Sequence, residues 1–514
     1  MKTDNVTDIW KKYEEGLSNH TFMELDYRRK RAYKFYEGEQ WFESEASEKE
    51  LPVYNFIKPT VNYIYNTVME NNTSIIYGRD EVGRKKEICM ELNRLAKKHW
   101  ENARLDKICR ETLKDACITG DSYIYLYNDR AMAQNITGTD IFLGDEATTD
   151  IQSQPWIIIR ERMFTDDVKK IARENGISAK QISEIISDED SENSYFAKSI
   201  AFKSEQHKCT SLLYMTKIDG VVHISRSVRN LIYQPDTPII FSGKGKKTVG
   251  LSLYPIAGLV WTRRNGTSRG IGECLPLIPN QIKCNENLVH RLSTVKLAAY
   301  GKPVYNVNAI ANPESLFEAG ASIQVDGVVG NVRDYISYLE PTSMSSDAHI
   351  LANELIEQTR ALAGASNSVI GQIDPTQASG VAIMAVREQW AVPINEHIKD
   401  YQQFVEDIAK IFLDIWSVYN PNGLVGSDVR VLPKDILAIR ESVRVDISPT
   451  DSFSKYAEEQ TLENALLNGY ISFEEYVRAL PQNSVAPKES FMKILEMRSR
   501  KDEDAREEEE KNVV

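Results

Sequence analysis

The sequence of residues 395–419 reads Asn-Glu-His-Ile-Lys-Asp-Tyr-Gln-Gln-Phe-Val-Glu-Asp-Ile-Ala-Lys-Ile-Phe-Leu-Asp-Ile-Trp-Ser-Val-Tyr and carries the clearest periodicity in the chain. With the residues before it, it places apolar side chains three and four apart, as one face of an α-helix requires: Trp390, Ile394, Ile398, Tyr401, Val405, Ile408, Phe412, Ile415 and Tyr419. The pattern predicts one helix from Ser379 to Tyr419, about 60 Å long and kinked by Pro393. Such a helix must pack across several other elements.

The part of the chain before this helix alternates between helical and β patterns. Three helices are predicted from spacing and from the absence of breaking residues, the last ending where glycine provides the C′ residue: about Asp8–Tyr36, Thr60–Glu70 and Lys85–Ala116, followed by Gly120. A strand is predicted at Ser122–Tyr127, and short β-branched runs make residues 129–250 a β-rich region with one helix at about Thr165–Asn175. A further helix is expected from Ile278, with Pro279 in its first turn.

The segments around and after the long helix are shorter. We predict a mixed segment of strand Lys302–Val307, a short helix Asn312–Phe317 and an extended Ala321–Val325, then a helix at Ser346–Ala363. A pair of strands, Val429–Leu432 with Val443–Ile447, is predicted after the long helix. A helical unit is expected at about Ser454–Met497, and the mixed-charge run 500–511 is expected to be a frayed helix or disordered.

The length and composition of the chain limit the functions that it can have. The 514 residues suggest three to four structural units, and the net charge of −13 argues against a protein that grips DNA or RNA through phosphate ion pairs. The six cysteines form no C-x-x-C pair, which favours a reduced, intracellular protein. The N-terminus lacks an apolar segment and the longest apolar run, Leu253–Trp261, is broken by Pro255, so neither a secretion signal nor a membrane span is expected.

A search for catalytic motifs indicates none. The segment Gly243–Thr248 does not match a phosphate loop and fits a hairpin turn, Gly270-Ile-Gly272 lacks the third glycine of a dinucleotide fingerprint, and the seven histidines form no metal-binding pair. Basic residues at 28–31, and at Arg263, Arg264 and Arg269, are expected to be solvated or to face a partner. We therefore expect no catalytic residue, no metal and no cofactor.

Four short motifs, in order along the chain, resemble those of the portal proteins of tailed bacteriophages. Residues 31–38, Arg-Ala-Tyr-Lys-Phe-Tyr-Glu-Gly, with 54–61, Tyr-Asn-Phe-Ile-Lys-Pro-Thr-Val, are similar to the family's opening, and 116–123, Ala-Cys-Ile-Thr-Gly-Asp-Ser-Tyr, to its entry into the wing. Residues 277–285, Leu-Ile-Pro-Asn-Gln-Ile-Lys-Cys-Asn, are similar to the start of the stem helix. Ser379-Gly-Val-Ala-Ile383 resembles the signature before the long wing helix.

The resemblance implies an α+β, portal-type fold, mostly helical, with a β-rich wing and a helical C-terminal crown. By it, residues 1–275 are the wing, with its β-rich part at about 121–262. Residues 276–299 are the first stem helix, 300–343 a small α/β clip, 346–363 the second stem helix and 364–378 the tunnel loop. Residues 379–449 are the long wing helix and wing strands, and 450–514 the crown and charged tail.

The resemblance also implies a function. Portal subunits form a ring, typically of twelve, at the unique capsid vertex, and double-stranded DNA passes through it without sequence specificity. The implied partners are further copies of the chain, the major capsid protein, the terminase motor and head-tail adaptor proteins, without a membrane. The implied location is the virion, after assembly in the host bacterial cytoplasm.

Two groups of polar residues are candidates for contact. The tunnel loop, whose only charge is Asp374, could touch a moving duplex without stalling it; its DNA-facing candidates are Ser366, Asn367, Ser368, Gln372, Asp374, Thr376 and Gln377. On the stem and clip, the partner- or DNA-facing candidates are Lys296, Lys302, Asn308, Asn312 and Glu314.

Two other functions fit the same residues. A packaging enzyme, such as a nuclease or ATPase subunit, would need a metal-binding carboxylate set or a phosphate loop. A head-tail adaptor or scaffold without a DNA tunnel would share the helical stripe, which is a core helix under every reading. Metal-dependent cleavage tests the first alternative and ring size tests the second.

Overall fold

The computed structural model describes most of the chain, in the ranges 5–42, 51–78, 83–187, 207–241, 249–299, 302–318, 321–327, 330–331, 335–339, 347–363, 394–420, 422–425, 430–440, 443–449 and 462–480. Its elements are helices and antiparallel sheets, which confirms the predicted α+β class. No helix of the described residues combines the length and apolarity needed to cross a bilayer. All six cysteines are buried free thiols.

The N-terminal helices are shorter than predicted. In place of one helix over Asp8–Tyr36 there are two, α1 (Val6–Phe22) and α2 (Leu25–Glu37). The break is at Glu24, whose φ of 56° lies in the left-handed region that interrupts a right-handed helix. Helix α3 (Ile57–Glu70) ends where predicted, and strand β1 (Asn71–Tyr77), which was not predicted, follows it.

The predicted helix Lys85–Ala116 is also two helices. Helix α4 (Arg84–Asn102) stops before Arg104, which has a φ of 51°, and α5 (Leu105–Thr119) continues to Gly120. Gly120 has a φ of 121° and its N–H donates to the carbonyl of Ala116 at 2.7 Å. The predicted glycine terminus is therefore confirmed.

The described residues between 121 and 260 contain two main antiparallel sheets. The first has the order β11-β2-β3 and the second the order β4-β5-β6-β7-β8. Their strands are β2 (Asp121–Tyr127), β3 (Met132–Thr137), β4 (Ile141–Leu143), β5 (Trp156–Phe164), β6 (Lys208–Ile218), β7 (Val221–Val228), β8 (Leu231–Pro238) and β11 (Ile256–Val260). Helices α6 (Thr165–Glu174) and α7 (Ala179–Ser183) pack beside the second sheet.

Small strand pairs complete this region. Strand β9 (Ile240–Phe241) pairs with β10 (Val249–Gly250), as expected if 242–248 closes a hairpin, although those residues lie outside the described ranges. Strand β12 (Thr262–Arg263) pairs with β13 (Gly270–Ile271).

A long helix, α8 (Cys274–Ala299), leaves the main core, and α9 (Asp347–Leu362) returns to it. Strands β14 (Lys302–Tyr305) and β15 (Ile336–Leu339) pair antiparallel between them. The helix start predicted at Ile278 is wrong: α8 begins four residues earlier, so Pro276 occupies its first turn and Pro279 lies in the second.

The long helix α10 (Asn395–Tyr419) has the predicted stripe, because Tyr401, Val405, Ile408, Phe412 and Ile415 are buried in the main core. Its predicted first part, 379–393 with the Pro393 kink, lies outside the described residues. The two following strands exist but do not pair with each other: β18 (Val443–Pro449) pairs with β1, and β17 (Arg430–Val431) with β16 (Leu424–Val425). Helix α11 (Pro433–Ile439) packs on α10.

The C-terminal region is described only over 462–480, with helical residues at 462–467 and helix α12 (Phe473–Ala479). The rest of the helical unit predicted at Ser454–Met497, and the run 500–511, lie outside the described residues.

Candidate functional site: the stem-like helical hairpin and its base

The tunnel loop predicted at 364–378 lies outside the described residues, and so do its seven candidates. The structure therefore places none of Ser366, Asn367, Ser368, Gln372, Asp374, Thr376 and Gln377. It does describe the two helices on either side of residues 300–346, α8 and α9, which we call the helical hairpin.

The hairpin is buried at one end only. The first half of α8 lies in the main core, where Leu277 and Ile278 are buried, and Leu355 and Ile356 of α9 pack against the same core. The Asn280 side-chain amide donates to the Thr359 hydroxyl at 2.9 Å and joins the two helices. Farther along α8, Leu292 and Val295 are 41% and 61% exposed. The hairpin thus leaves the core as it extends.

Two polar side chains anchor the buried end of α8. Gln281, fully buried, accepts from the backbone N–H of Phe56 at 3.0 Å and donates to the carbonyl of Tyr54 at 2.7 Å. Asn285, one turn later, accepts from the backbone N–H of Tyr54 at 3.1 Å and donates to the Gln40 side chain at 2.5 Å. We call Gln40, Gln281 and Asn285, with the backbone of 54–56, the base network.

The base network continues into α2 and α3 through Asn55. Its side chain accepts from the Lys58 N–H at 3.2 Å, in the first turn of α3, and donates to the carbonyl of Tyr36 at 3.0 Å, near the end of α2. The Tyr36 hydroxyl donates to Asn62 at 2.6 Å. The residues quoted for the first and third motifs therefore meet in space.

The second motif meets the strand before α8 through glycines. A Cβ at Gly120 would lie 2.6 Å from the Gly270 backbone, and one at Gly272 would lie 2.3 Å from the carbonyl of Ile118. The carbonyl of Gly120 also accepts from the Trp261 N–H at 2.8 Å. These close approaches fix where the chain enters α8.

The clip candidates have different surroundings. Lys296, Asn308 and Glu314 are exposed, while the side chain of Lys302 lies outside the described residues. Asn312 is held within the chain: it donates to the Ser315 hydroxyl and the Ser322 carbonyl, both at 2.8 Å, and accepts from the Gln324 N–H at 2.7 Å. Contact with a partner remains a prediction for all of these candidates, and Asn312 in addition joins the chain around Ser315, Ser322 and Gln324.

Apolar side chains continue onto the clip surface, where Val304 is 49% and Val307 78% exposed, and Ile350 of α9 is 52% exposed. The two helices also differ in charge. Helix α8 has three basic residues and one acidic, and α9 has three acidic and one basic. One helix of the hairpin is thus net positive and the other net negative.

A buried ion cluster around Arg269 was missed by the sequence reasoning, which treated this arginine as a surface residue. Arg269 is fully buried and donates two hydrogen bonds to Glu146, at 2.7 and 2.8 Å, and one to Asp121 at 3.1 Å. It also bonds the carbonyls of Gly138 and Ile141 at 2.7 and 2.9 Å. Burial alone would raise the pKa of Glu146, but Arg269 holds it well below its usual range.

His20, at the end of α1, completes this cluster. Its Nε2 lies 3.1 Å from an Arg269 nitrogen and 3.7 Å from a carboxylate oxygen of Glu146. Burial lowers the pKa of His20. A second expected surface cation, Arg29, is also largely covered, with its side chain 11% exposed, and pairs with Asp115 at 2.7 Å. Nothing in a single sequence distinguishes Arg29 and Arg269 from arginines that are exposed to solvent.

Comparison with known proteins gives structural similarities but no match by sequence. No protein family matches the chain, and no curated protein matches it. The chain is similar to a protein chain in the virion of a native gene transfer agent particle. That similarity covers 82% of this chain and 88% of the other, with a TM-score of 0.38 and 8% sequence identity. A TM-score below 0.5 is too low to establish a shared fold.

Among the described residues, no three His, Cys, Asp or Glu side chains are grouped closely enough to hold a metal ion. The arrangement found is a hydrogen-bonded base, two helices that leave the core, and a small sheet between them.

Proposed function

We propose that this chain is a portal-type subunit, a non-enzymatic protein that forms a ring at a capsid vertex and passes double-stranded DNA. The observation that supports the proposal most directly is the helical hairpin, anchored at its base by Gln281 and Asn285 and exposed at its far end. A hairpin that leaves the core with apolar side chains in water is incomplete as a monomer.

Further copies of the chain would cover those side chains. In a ring, one face of each subunit meets a different face of the next, which is a heterologous interface that closes by rotation. The net positive α8 of one subunit and the net negative α9 of its neighbour are complementary, and such complementarity sets the register of an interface. The exposed Leu292, Val295 and Ile350 would supply its apolar part.

The net negative charge of the chain favours the passage of DNA through the ring over tight binding of DNA. With a net charge of −13 per subunit, a ring repels DNA, and the nearly uncharged loop 364–378 lacks the cations that would pair with phosphates. In this proposal the clip contacts the terminase and later the head-tail adaptors, and the wing contacts the major capsid protein. The assembled ring resides in the virion after assembly in the bacterial cytoplasm.

End-on negative-stain images of the purified full-length protein test the proposal. We expect closed rings, twelve-fold by the resemblance, with a central channel. Replacing Val295 by Glu places a charge in the proposed interface and should leave monomers. The matched control is Met90→Glu, because Met90 is 63% exposed on α4 and lies away from the hairpin; it should still form rings.

Three results would contradict the proposal. Monomers alone at high protein concentration would count against a ring, and rings formed equally by both variants would count against the hairpin interface. Metal-dependent cleavage of DNA by the purified chain would favour the packaging-enzyme alternative, while rings without a channel would favour an adaptor or scaffold.

A further inference from the structure

An open pocket of about 460 Å³ lies on the surface of the lobe formed by α6 and α7. It shares no residue with the helical hairpin or the base network, and it is lined by Lys169, Arg173, Ile177, Ala179, Ile182 and Ser183. Ile182 belongs to the small core under the lobe and Ile177 packs against that core, so the floor of the pocket is apolar. Two cations and no acid line its sides. We call this surface the lobe pocket.

The two cations of the lobe pocket have no acid of their own. Lys169 and Arg173 are four residues apart on α6 and share one face of the helix, and like charges at this spacing repel each other. Among the described residues, neither side chain forms an ion pair with an acid. An anion bound beside both cations would remove this repulsion.

The chain itself contains a segment of matching chemistry. Residues 188–206 lie outside the described ranges and follow directly after Ser187, which is four residues beyond Ser183 of the lobe pocket. The segment begins with four acids in five residues and continues to two aromatic residues: Asp188, Glu189, Asp190, Glu192, Tyr195 and Phe196.

The lobe pocket lies within reach of this segment. An extended chain covers at most about 3.6 Å per residue, so residues 188–196 can span about 30 Å. Helix α6, which carries both cations, is only about 15 Å long. The other end of the segment returns to the same place, because the Ser187 hydroxyl lies 3.3 Å from Nδ1 of His207.

We propose that residues 188–196 bind in the lobe pocket of their own subunit. The acids pair with Lys169 and Arg173, and an aromatic side chain covers Ile177 and Ile182. Because the segment is tethered beside the pocket, its effective concentration there is high, which favours it over the same segment of another copy.

Two other acidic runs fit the pocket less well. Residues 43–50 and 502–510 also lie outside the described ranges, but neither run contains an aromatic residue or lies close to the lobe in the sequence. The proposal depends neither on ring formation nor on the passage of DNA.

Fluorescence anisotropy with a labelled synthetic peptide of residues 187–198 tests the site. The receptor is the full-length chain in which 188–196 is replaced by glycine and serine residues, so that the lobe pocket is free. We expect saturable binding that weakens with salt. Binding to the wild type should be about tenfold or more weaker, because its own segment competes with the peptide.

Charge reversal in the same receptor tests the two cations. Lys169→Glu with Arg173→Glu should weaken peptide binding about tenfold or more. The matched control is Lys170→Glu with Lys180→Glu, which changes the net charge of the same lobe equally but alters exposed residues that do not line the pocket. The control should bind the peptide as its parent does.

Two further measurements test the aromatic residues and the occupant. A peptide with serine in place of Tyr195 and Phe196 should bind about tenfold or more weakly, because it lacks the apolar area that covers the floor of the pocket. In the wild type, a zero-length carbodiimide should couple the Lys169 amine to a carboxylate of 188–192, a result that does not depend on how the variants fold. In a mixture of isotope-labelled and unlabelled protein, the coupled peptides should come from single copies.

Several results would overturn the proposal. Absence of peptide binding to the replaced chain, or equal binding to the wild type, would show that 188–196 does not occupy the pocket. Equal loss in both charge-reversed pairs, or equal binding of a peptide of 502–510, would show attraction by charge alone. Absence of the Lys169 crosslink, or crosslinks mainly between copies, would contradict binding within one subunit.

Discussion

Replacing Gln281 by leucine should release the base of the helical hairpin. Leucine is similar in volume but leaves the Phe56 N–H and the Tyr54 carbonyl, which Gln281 bonds at 3.0 and 2.7 Å, without that partner. Phe56 is only 1% exposed, so water cannot easily replace the bond. An unsatisfied buried group costs about 1–3 kcal/mol, and the two groups together should lower the local stability by about 2–4 kcal/mol.

Amide hydrogen exchange measures this loss where it occurs, which suits a chain of several units better than one unfolding midpoint. A loss of 2–4 kcal/mol corresponds to exchange about 30- to 1000-fold faster in peptides from 57–64 and 274–285, since 1.4 kcal/mol is a factor of ten. The control is Gln358→Leu, because Gln358 is exposed on α9. Exchange less than threefold faster in Gln281→Leu, or equal acceleration in both variants, would refute the anchoring role.

Three more predictions concern the wing and the loop. Gly120→Ala, with its Cβ 2.6 Å from a facing backbone, should destabilise the fold by several kcal/mol in chemical denaturation, whereas Gly176→Ala, with a φ of +76° and open space around it, should cost about 1–2 kcal/mol. Burial lowers the pKa of His20 in the folded protein, whereas a histidine in the unfolded chain has a pKa of about 6.5. Below about pH 6.5 the unfolded chain therefore binds more protons than the folded protein, and stability should fall as the pH drops. Melting temperatures of the wild type should show this loss, and those of His20→Gln should show less of it. Replacing Gln372 and Gln377 together by Lys should leave ring assembly intact and impair DNA packaging in vitro; unchanged packaging would mean that 364–378 is not the tunnel loop.

Periodic elements were predictable because their residues obey a local rule. The stripe of α10 follows from spacing alone, since every fourth or third side chain from Tyr401 to Ile415 is buried. The glycine end of α5 and strand β2 follow in the same way. The pairing of strands was harder to predict from the sequence. Strands β1 and β18 are more than 360 residues apart in the chain, and no local pattern specifies so distant a partner.

The missed helix breaks have a physical cause. Glu24 and Arg104 both adopt positive φ without being glycine, a conformation that costs energy locally and is imposed by the packing of the two helices on either side. A helix break is predicted from sequence where glycine or proline occurs, and neither residue is present at the breaks at Glu24 and Arg104. The burial of Arg269 was hidden for a related reason, because its partners Glu146 and Asp121 are supplied by other segments.

The motif residues that carry the resemblance are bonded inside the chain, whereas the far end of the helical hairpin is exposed. Asn55, Gln281 and Asn285 are bonded within one subunit, and Gly120 packs against backbone, so their role is to set where the hairpin leaves the core. They cannot also contact DNA or a neighbour from inside that network. In the proposed ring, neighbouring copies would then meet at the exposed end of the hairpin, so variants at the base should change the stability of the monomer first, whereas Val295→Glu should change the ring alone. A base variant that kept full stability and still lost the ring would show that this division is wrong.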